Sequence, residues 1–528
     1  MNGHAPLTYE EQTLLDEKRS SSSSDLDSSD ISSSSSSINN DYHILPLSTP
    51  RQPPSPPIPR SLPLRTLHFL LPSFLPLCSS SSRPHKLHPT SYLDGLRGLA
   101  ALFVFFCHYT YTSYVIAHGY GYIYTPPTQV DSTDPPPIHP PTSPTPNNHS
   151  LLKLPLIRLF YSGPPMVCVF FIISGYALSL KPVLLIHSRN YSSLNSTISS
   201  LVFRRAIRLF LPCAISTLFI VILVRLDLYE WTRSFAYDAK YIRNVQEIHY
   251  EKKSSFTAQL NEWAKMLFEF IHVWDWESFV GWTNIDVHLW TIPVEFRASM
   301  MLFLGLMGTS KVRVKWRYLG ILGMGAFAFW SGRWEVVLFL WGWFLAEIDQ
   351  TTHCKKVKGK GKGKGKGWVW GLLGWVGLYL MSQPDYGSQQ TPGWIFLCRL
   401  IPSWWKQGEE YRFWQSLGSM LFVLSCGKSK GWKRCFEMRQ IQYLGRISYA
   451  LYLMHGPVLH TVGYAVERMV WVNLTGVETE FRYNLGFVLA SLVVVPVVIW
   501  VSDFFWRGVD EPIVRFAKWV ERRVSISE

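Results

Sequence analysis

Ten apolar segments separated by polar loops follow residue 90, and they constrain the fold more than any other feature. A helix needs about 20 mainly apolar residues to cross a bilayer, and only helices and closed barrels satisfy every backbone polar group there. Of the 528 residues, 47% are hydrophobic and 17% are charged, against roughly 25% charged in an average soluble domain. The sequence therefore predicts an all-α polytopic membrane protein with about ten transmembrane helices. The predicted spans are residues 96–116, 164–181, 207–224, 288–307, 318–331, 334–348, 368–382, 412–427, 443–464 and 484–505.

The distribution of basic residues predicts which loops face the cytosol. With a cytosolic N-terminus, the cytosolic segments are those after the second, fourth, sixth and eighth spans, plus the C-terminal tail. Their basic residues are Arg204/Arg205, Lys311–Arg317, the Lys-Gly repeat Lys356–Gly367, Lys428–Arg434 and Arg522/Arg523. Because cytosolic loops are enriched in Lys and Arg, both termini are expected in the cytosol.

The formal net charge of +14 is thereby assigned to the cytosolic loops. No nucleic-acid motif and no GxxxxGK[ST] phosphate loop is present, so nucleic-acid binding and P-loop chemistry are excluded. The eight cysteines form no CxxC pair, and no metal site is expected.

Composition divides the chain into four parts. Residues 1–65 are rich in Ser and Pro and are expected to form a disordered cytosolic tail, because such a segment buries too little apolar surface. Residues 66–90 form a linker or an interfacial segment. Residues 91–512 form the transmembrane domain, and residues 513–528 form the cytosolic C-terminal tail.

Two polar residues in the first span, Arg97 and His108, are candidates for function. Eleven helical steps are almost three turns, so both side chains share one face and lie about 16 Å apart along the axis. We expect Arg97 near the cytosolic surface and His108 about half-way through the bilayer. A polar residue at that depth is costly, which favours a functional role. The alternative is a histidine that only bonds a neighbouring helix.

Three further sites carry polar groups beside apolar spans. Glu295 lies in LWTIPVEFR, where it could polarise a histidine or form an ion pair with Arg297. Arg204, Arg205 and Arg208 lie at the cytosolic mouth of the third span. Guanidinium groups match phosphate oxygens, although topogenic charge is the simpler reading. His455 ends YLGRISYALYLMH, where an interfacial or packing histidine is more typical than a catalytic one.

Five motifs occur in one order: YLDGLRGLAALFVFFCHYT, FFIISGYALS, FRRAIRLFLP, LWTIPVEFR and YLGRISYALYLMHGPV. Together they resemble the membrane-bound acyltransferase 3 family, especially its fungal members, from about Ser91 to Pro512. The arginine–ten residues–histidine motif of that family matches Arg97 and His108. The chain departs from the family in its long N-terminal tail, its Lys-Gly loop and a proline-rich loop at Pro126–Pro146.

This resemblance implies an integral membrane O-acyltransferase. It would move an acyl group, by default acetyl, from acyl-CoA or acetyl-CoA to a hydroxyl of a small molecule, sugar or lipid, without a metal. His108 would be the catalytic base or a transient acyl carrier, oriented by catalytic Glu295. Donor phosphates would bind Arg97, Arg204, Arg205 and Arg208. The expected location is the endoplasmic reticulum, the plasma membrane or another endomembrane.

Other functions remain compatible with these residues. A transporter or channel could use His108 as a proton relay, although no repeat with paired broken helices is visible. One alternative is a different class of membrane acyltransferase, built around an intramembrane histidine and asparagine. Another is a structural membrane protein or pseudoenzyme that catalyses no reaction. Acyl-CoA separates these readings, because an enzyme should bind or consume it and a transporter should ignore it.

Overall fold

A computed structural model describes residues 71–73, 87–122, 149–274, 283–357, 367–405 and 408–526, with only the backbone at 353–357. The predicted disordered tail and most of the Lys-Gly repeat lie outside these ranges. The α-helices are α1 (Ser91–Tyr111), α2 (Gly163–His187), α3 (Tyr191–Arg225), α4 (Leu228–Ala236), α5 (Phe256–Ile271), α6 (Thr291–Gly308), α7 (Val314–Trp330), α8 (Trp334–Val357), α9 (Gly367–Met381), α10 (Ile395–Arg399), α11 (Tyr411–Lys428), α12 (Lys430–Phe436), α13 (Arg439–Val458), α14 (Tyr464–Val470), α15 (Glu480–Phe505) and α16 (Glu511–Val524).

Shorter helical turns complete the described chain. The 3₁₀ turns are Leu151–Lys153, Ile157–Tyr161, Val287–Trp290 and Ser388–Gln390. The π turns are Leu459–Gly463, Trp471–Thr475 and Trp506–Asp510. The π turns join α13 to α14 and α15 to α16, and one follows α14.

Each of the ten predicted segments overlaps an α-helix, and the described ranges contain no β-strand. The all-α class is therefore confirmed. Four stretches are long and apolar enough to cross a membrane by themselves, which indicates a membrane protein. They are Gly163–His187, Tyr191–Arg225, Val287–Gly308 and Glu480–Val524. The number of ten spans and the cytosolic placement of both termini stay predictions.

The first predicted span differs from helix α1 at both ends, and its extension to residue 116 is wrong. The helix begins at Ser91 and ends at Tyr111, so His108 lies in its last turn rather than at its middle. Asn244 ends the helix, because its side chain donates to the carbonyl oxygens of Tyr111 and Tyr114 at 2.6 and 3.0 Å. These bonds satisfy carbonyls that a helix terminus leaves free.

Helices α1 and α13 touch backbone to backbone at two glycines. A Cβ added to Gly98 would lie 2.3 Å from the Gly445 nitrogen, so neither position has room for a side chain. Small residues at a crossing allow this close approach in membrane proteins. His108 and His455 each lie ten residues beyond their glycine, and their ring centroids are 5.3 Å apart. The two helices therefore run in the same direction from the crossing to the histidines.

Helix α2 occupies the centre of the helical assembly. It packs against α1, α3, α6, α8 and α11, and Cys168, Val169 and Ile172 are fully buried in its middle. Because α2 contacts both α1 and α6, it holds together two of the three elements of the histidine site described next.

Candidate active site

Three histidines from distant parts of the chain meet at the end of α1. His108 belongs to α1, His288 to the 3₁₀ turn before α6, and His455 to α13. The ring centroid of His288 lies 4.1 Å from that of His108 and 4.7 Å from that of His455. The His108 side chain is 24% exposed and that of His288 is 1% exposed, while His455 is fully buried. Of the three rings, His108 is the one accessible to a small molecule.

Two buried carboxylates hold His288 from opposite sides. Its Nδ1 lies 2.7 Å from Asp286 Oδ1, and its Nε2 lies 2.8 Å from Glu247 Oε1. Glu247 Oε1 also accepts a hydrogen bond from the Tyr111 hydroxyl, and its Oε2 lies 2.7 Å from His460 Nε2. Glu247 thus links the histidine of the 3₁₀ turn to that of the π turn.

Electrostatics keep both carboxylates ionised. Burial opposes ionisation of Glu247, but the charge and hydrogen bonds of His288 and His460 hold its pKa well below the usual range. Burial likewise opposes ionisation of Asp286, but His288 lowers the pKa of that carboxyl. An ionised carboxylate only accepts hydrogen bonds, so His288 donates from both ring nitrogens and carries a positive charge between them.

A second histidine pair extends from the other oxygen of Glu247. His249 Nδ1 lies 2.8 Å from His460 Nδ1, and His249 Nε2 donates to the Tyr229 carbonyl oxygen at 2.7 Å. Burial and the charge of His460 lower the pKa of His249 to about 3. A neutral His249 that donates from Nε2 accepts at Nδ1, so the hydrogen between the two rings belongs to His460.

His108 faces this network without joining it. Its Nδ1 lies 4.0 Å from Glu247 Oε1 and has no hydrogen-bond partner among the described residues. His455 Nδ1 bonds the Leu451 carbonyl oxygen at 3.2 Å, which leaves its Nε2 buried and unpaired in the described part of the chain. His108 can therefore gain or lose a proton at Nδ1 without breaking a bond to a described residue.

The three rings also place one nitrogen each within 4.8 Å of one another. A metal needs a lone pair from each ligand. Both nitrogens of His288 already donate to carboxylates, so the cluster offers two free ring nitrogens rather than three. The arrangement suits proton transfer better than metal binding.

A small cavity adjoins His108 on the side away from Arg97. Its volume is about 10 Å³, roughly the space that one water molecule needs. The lining residues are His108, Tyr109, Thr112, Glu247, Leu459, Gly463, Tyr464 and Glu467. Aromatic and apolar side chains with a few converging polar groups form its walls.

The structure gives Glu295 other partners than His108, and its catalytic role stays a prediction. Glu295 Oε1 pairs with Arg205 at 2.6 Å and accepts from the Ser174 hydroxyl at 2.7 Å. Glu295 follows His288 by seven residues, about two helical turns or 10 Å. The helix that presents His288 to His108 therefore carries Glu295 away, and the carboxylates at the histidines are Glu247 and Asp286.

Sequence reasoning missed both of these carboxylates and three histidines. Glu247 and His249 lie in the long polar loop after α3, where acids and histidines are ordinary. Asp286 and His288 come immediately before LWTIPVEFR, and an acid two residues before a histidine at the start of an apolar span was the available signal. His460 follows His455 by five residues, in the π turn.

The predicted donor-site arginines gather at the opposite end of α1. Arg97 donates to the Gly445 carbonyl oxygen at 3.0 Å and pairs with Asp94 at 3.4 Å. Arg208 and Arg97 both interact electrostatically with the half-buried Asp510. The α1–α13 crossing therefore fixes a cation at one end and the histidines at the other.

Arg204 and Arg205 adjoin the same group. Arg204 pairs with Glu521 at 3.1 Å, and Arg205 bonds the Ser299 hydroxyl at 3.1 Å in addition to Glu295. Arg208 interacts electrostatically with all three other arginines. We refer to Arg97, Arg204, Arg205 and Arg208 as the arginine cluster.

Comparisons with known proteins agree with these features. A family profile described as "Acyltransferase domain" matches residues 90–507. The chain is 31% identical over 486 residues to "O-acetyltransferase PaAT-1" of Phomopsis amygdali, covering 88% of this chain and 90% of that protein. It is 28% identical to "Acyltransferase clz18" of Cochliobolus lunatus and 26% identical to "Acyltransferase R4" of a Phoma species, each covering 84% of this chain and 98% of the relative. No solved structure matches significantly.

Proposed function

We propose, from the premise that the chain belongs to the membrane-bound acyltransferase 3 family, that it is an integral membrane O-acyltransferase. Membership makes it an enzyme that transfers acyl groups. The proposed donor is acyl-CoA, by default acetyl-CoA, and the proposed acceptor is a hydroxyl of a small molecule, sugar or lipid. The observation that carries this proposal is His108, a partly exposed imidazole beside a cavity, with an unpaired nitrogen facing a buried carboxylate.

In the proposed reaction, neutral His108 removes the proton from the acceptor hydroxyl. The hydroxyl oxygen attacks the thioester carbonyl carbon, the carbon–sulfur bond breaks, and the departing thiolate takes the proton from His108. Glu247, 4.0 Å from His108 Nδ1, stabilises the imidazolium while the proton resides there. The rigid bonds of Glu247 to His288 and His460 keep this carboxylate in place.

The arginine cluster is the proposed binding site for the donor's phosphates. Its Arg97 precedes His108 by almost three turns of α1, about 16 Å along one helix face. Guanidinium groups bind phosphate oxygens through paired hydrogen bonds, and the pantetheine arm would extend along α1 toward His108. The four long apolar stretches support a membrane location.

The test measures transfer from radiolabelled acetyl-CoA in membranes that contain His108→Ala or His108→Gln at wild-type expression. We expect loss of the imidazole to reduce transfer about 10²- to 10⁴-fold. The matched control is His272→Gln, since His272 is an exposed histidine after α5. Wild-type transfer by both His108 variants would reject the assignment, and a wild-type protein that neither binds nor consumes acetyl-CoA would favour the transporter alternative.

A further inference from the structure

Helix α16 has an exposed aromatic face that the rest of the described chain leaves uncovered. The helix packs against α3 and buries Ile513 and Ala517. Phe516 and Trp519 lie outward, 46% and 50% exposed, and their rings stack with centroids 5.9 Å apart. The guanidinium carbon of Arg523 lies 5.7 Å from the Trp519 ring centroid. Adjoining exposed aromatic residues with a charged rim are typical of protein or membrane interaction sites.

The charge beside this aromatic pair is positive. Both acids of α16 already have partners: Glu511 lies 3.8 Å from the arginine one turn later, and Glu521 pairs with Arg204 of α3 at 3.1 Å. Arg522 and Arg523 are exposed, and neither forms an ion pair with an acid in the described part of the chain. The uncovered face therefore offers two free cations and suits an anionic partner.

Contacts with α3 show how α16 is oriented. Asp510, directly before α16, interacts electrostatically with Arg208, and Glu521 pairs with Arg204. The two arginines are one turn apart on α3, about 6 Å, whereas the two acids are eleven residues apart, about 16 Å on a helix. Helix α16 therefore crosses α3 rather than following it. Because Tyr191–Arg225 is long and apolar enough to span a membrane, a helix that crosses it lies along the membrane surface.

The neighbouring helix α15 also directs this face toward lipid. Helix α16 follows α15 through the π turn Trp506–Asp510 without a loop. Within α15, Val488 and Leu492 are 55% and 69% exposed, as expected of side chains that contact acyl chains. Tryptophan is enriched at membrane–water interfaces, and helices with aromatic residues beside Arg or Lys lie in the interface plane. A bilayer surface therefore fits the uncovered face of α16 better than a protein partner.

We propose that α16 is an interfacial helix that binds an anionic lipid leaflet. Phe516 and Trp519 enter the boundary between acyl chains and headgroups, and Arg522 and Arg523 bind the anionic headgroups of the same leaflet. The leaflet is the one on the side of the arginine cluster, because Glu521 pairs with Arg204. This lipid site lies outside the reaction proposed above and does not depend on it.

The experiment measures hydrogen–deuterium exchange of α16 in the purified full chain, reconstituted into nanodiscs of phosphatidylcholine alone or mixed with phosphatidylserine. We expect the backbone amides of α16 to exchange at least about fivefold more slowly in the anionic nanodiscs, since each basic residue near such a surface strengthens binding by about that factor. The difference should shrink at high ionic strength, because salt screens the headgroup charge.

Two double variants separate the roles of charge and aromatic rings. Arg522→Gln with Arg523→Gln should abolish the dependence on phosphatidylserine, whereas Phe516→Ser with Trp519→Ser should speed exchange in both kinds of nanodisc. Arg482→Gln, at an exposed arginine of α15, is the control and should follow the wild type. Unchanged exchange across α15 verifies that the variants fold.

Equal exchange of α16 in the two kinds of nanodisc would overturn the proposal, since it would show that anionic headgroups do not bind there. A dependence on phosphatidylserine that persists without Arg522 and Arg523 would also overturn it. So would an aromatic double variant that exchanges as slowly as the wild type, because the two rings would then have no contact with the bilayer.

Discussion

Glu247 accepts a hydrogen bond from His288 at 2.8 Å across 41 positions of the sequence. The bond joins a polar loop to the start of an apolar span. The other carboxylate oxygen of Glu247 bonds His460 Nε2 at 2.7 Å. The carboxylate that faces His108 is therefore held in place by hydrogen bonds to two histidines from other parts of the chain.

Glu247→Gln should reduce acetyl transfer by about 10²-fold, because the amide cannot stabilise the His108 imidazolium. Initial rates with radiolabelled acetyl-CoA, at matched expression, measure the effect. Glu251→Gln is the control, since Glu251 is an exposed acid of the same loop. An unchanged kcat for Glu247→Gln would show that this carboxylate has no part in the chemistry.

Glu295→Gln should behave differently, because Glu295 bonds Arg205 in the arginine cluster. We expect a higher KM for acetyl-CoA with kcat close to wild type. The same assay at several donor concentrations separates the two constants. A fall in kcat as large as that of Glu247→Gln would restore the catalytic role that the sequence suggested for Glu295.

Arg208→Gln should raise KM for acetyl-CoA about tenfold, since a hydrogen bond to a charged group contributes about 1.5–3 kcal/mol. The effect should shrink as ionic strength increases, because salt screens phosphate binding. Arg482→Gln is the control, as Arg482 is an exposed arginine at the start of α15. Equal donor KM values for wild type and Arg208→Gln would argue against the donor site.

His249→Gln should flatten the acid dependence of stability. Burial and the charge of His460 lower the pKa of His249 to about 3 in the folded protein, against about 6.5 for an unperturbed histidine. The unfolded state therefore binds more protons between these values, so stability is complete above the upper one and falls as the pH decreases.

Thermal unfolding in detergent between about pH 6.5 and 5 measures this effect, since ordinary carboxyl groups stay ionised in that window. The wild type should lose stability toward the acid end, and His249→Gln should lose less. His272→Gln should follow the wild type. Parallel curves for wild type and His249→Gln would contradict the assignment of a neutral His249.

Gly445→Ala should lower the free energy of unfolding by about 1–3 kcal/mol, as expected for an overpacked contact. The added Cβ would lie 2.4 Å from the Asp94 carbonyl oxygen. Gly320→Ala in α7 is the control, because a Cβ there meets nothing within 4 Å, and helix propensity should stabilise it by up to about 1 kcal/mol. Equal unfolding temperatures for the two variants would show that the crossing tolerates a methyl group.

The helices were predictable because a long apolar run leaves the backbone few alternatives. His108 was predictable too, since a titratable residue stands out in an apolar segment. Glu247 was not, because its role arises from folding: Asn244, three residues earlier, binds the end of α1 and so brings the loop to His108. Glu295 was conspicuous for the opposite reason, since it is the one acid within the predicted span 288–307, where it follows His288 by about two helical turns.

Gly98 and His108 are ten residues apart, and so are Gly445 and His455. One residue inserted into either stretch would rotate its histidine by about 100° about the helix axis, away from its partner, while leaving composition and hydropathy almost unchanged. The number of residues between the glycine and the histidine must therefore stay the same in α1 and in α13. Substitutions preserve this count, whereas we expect insertions and deletions to be tolerated only in the loops.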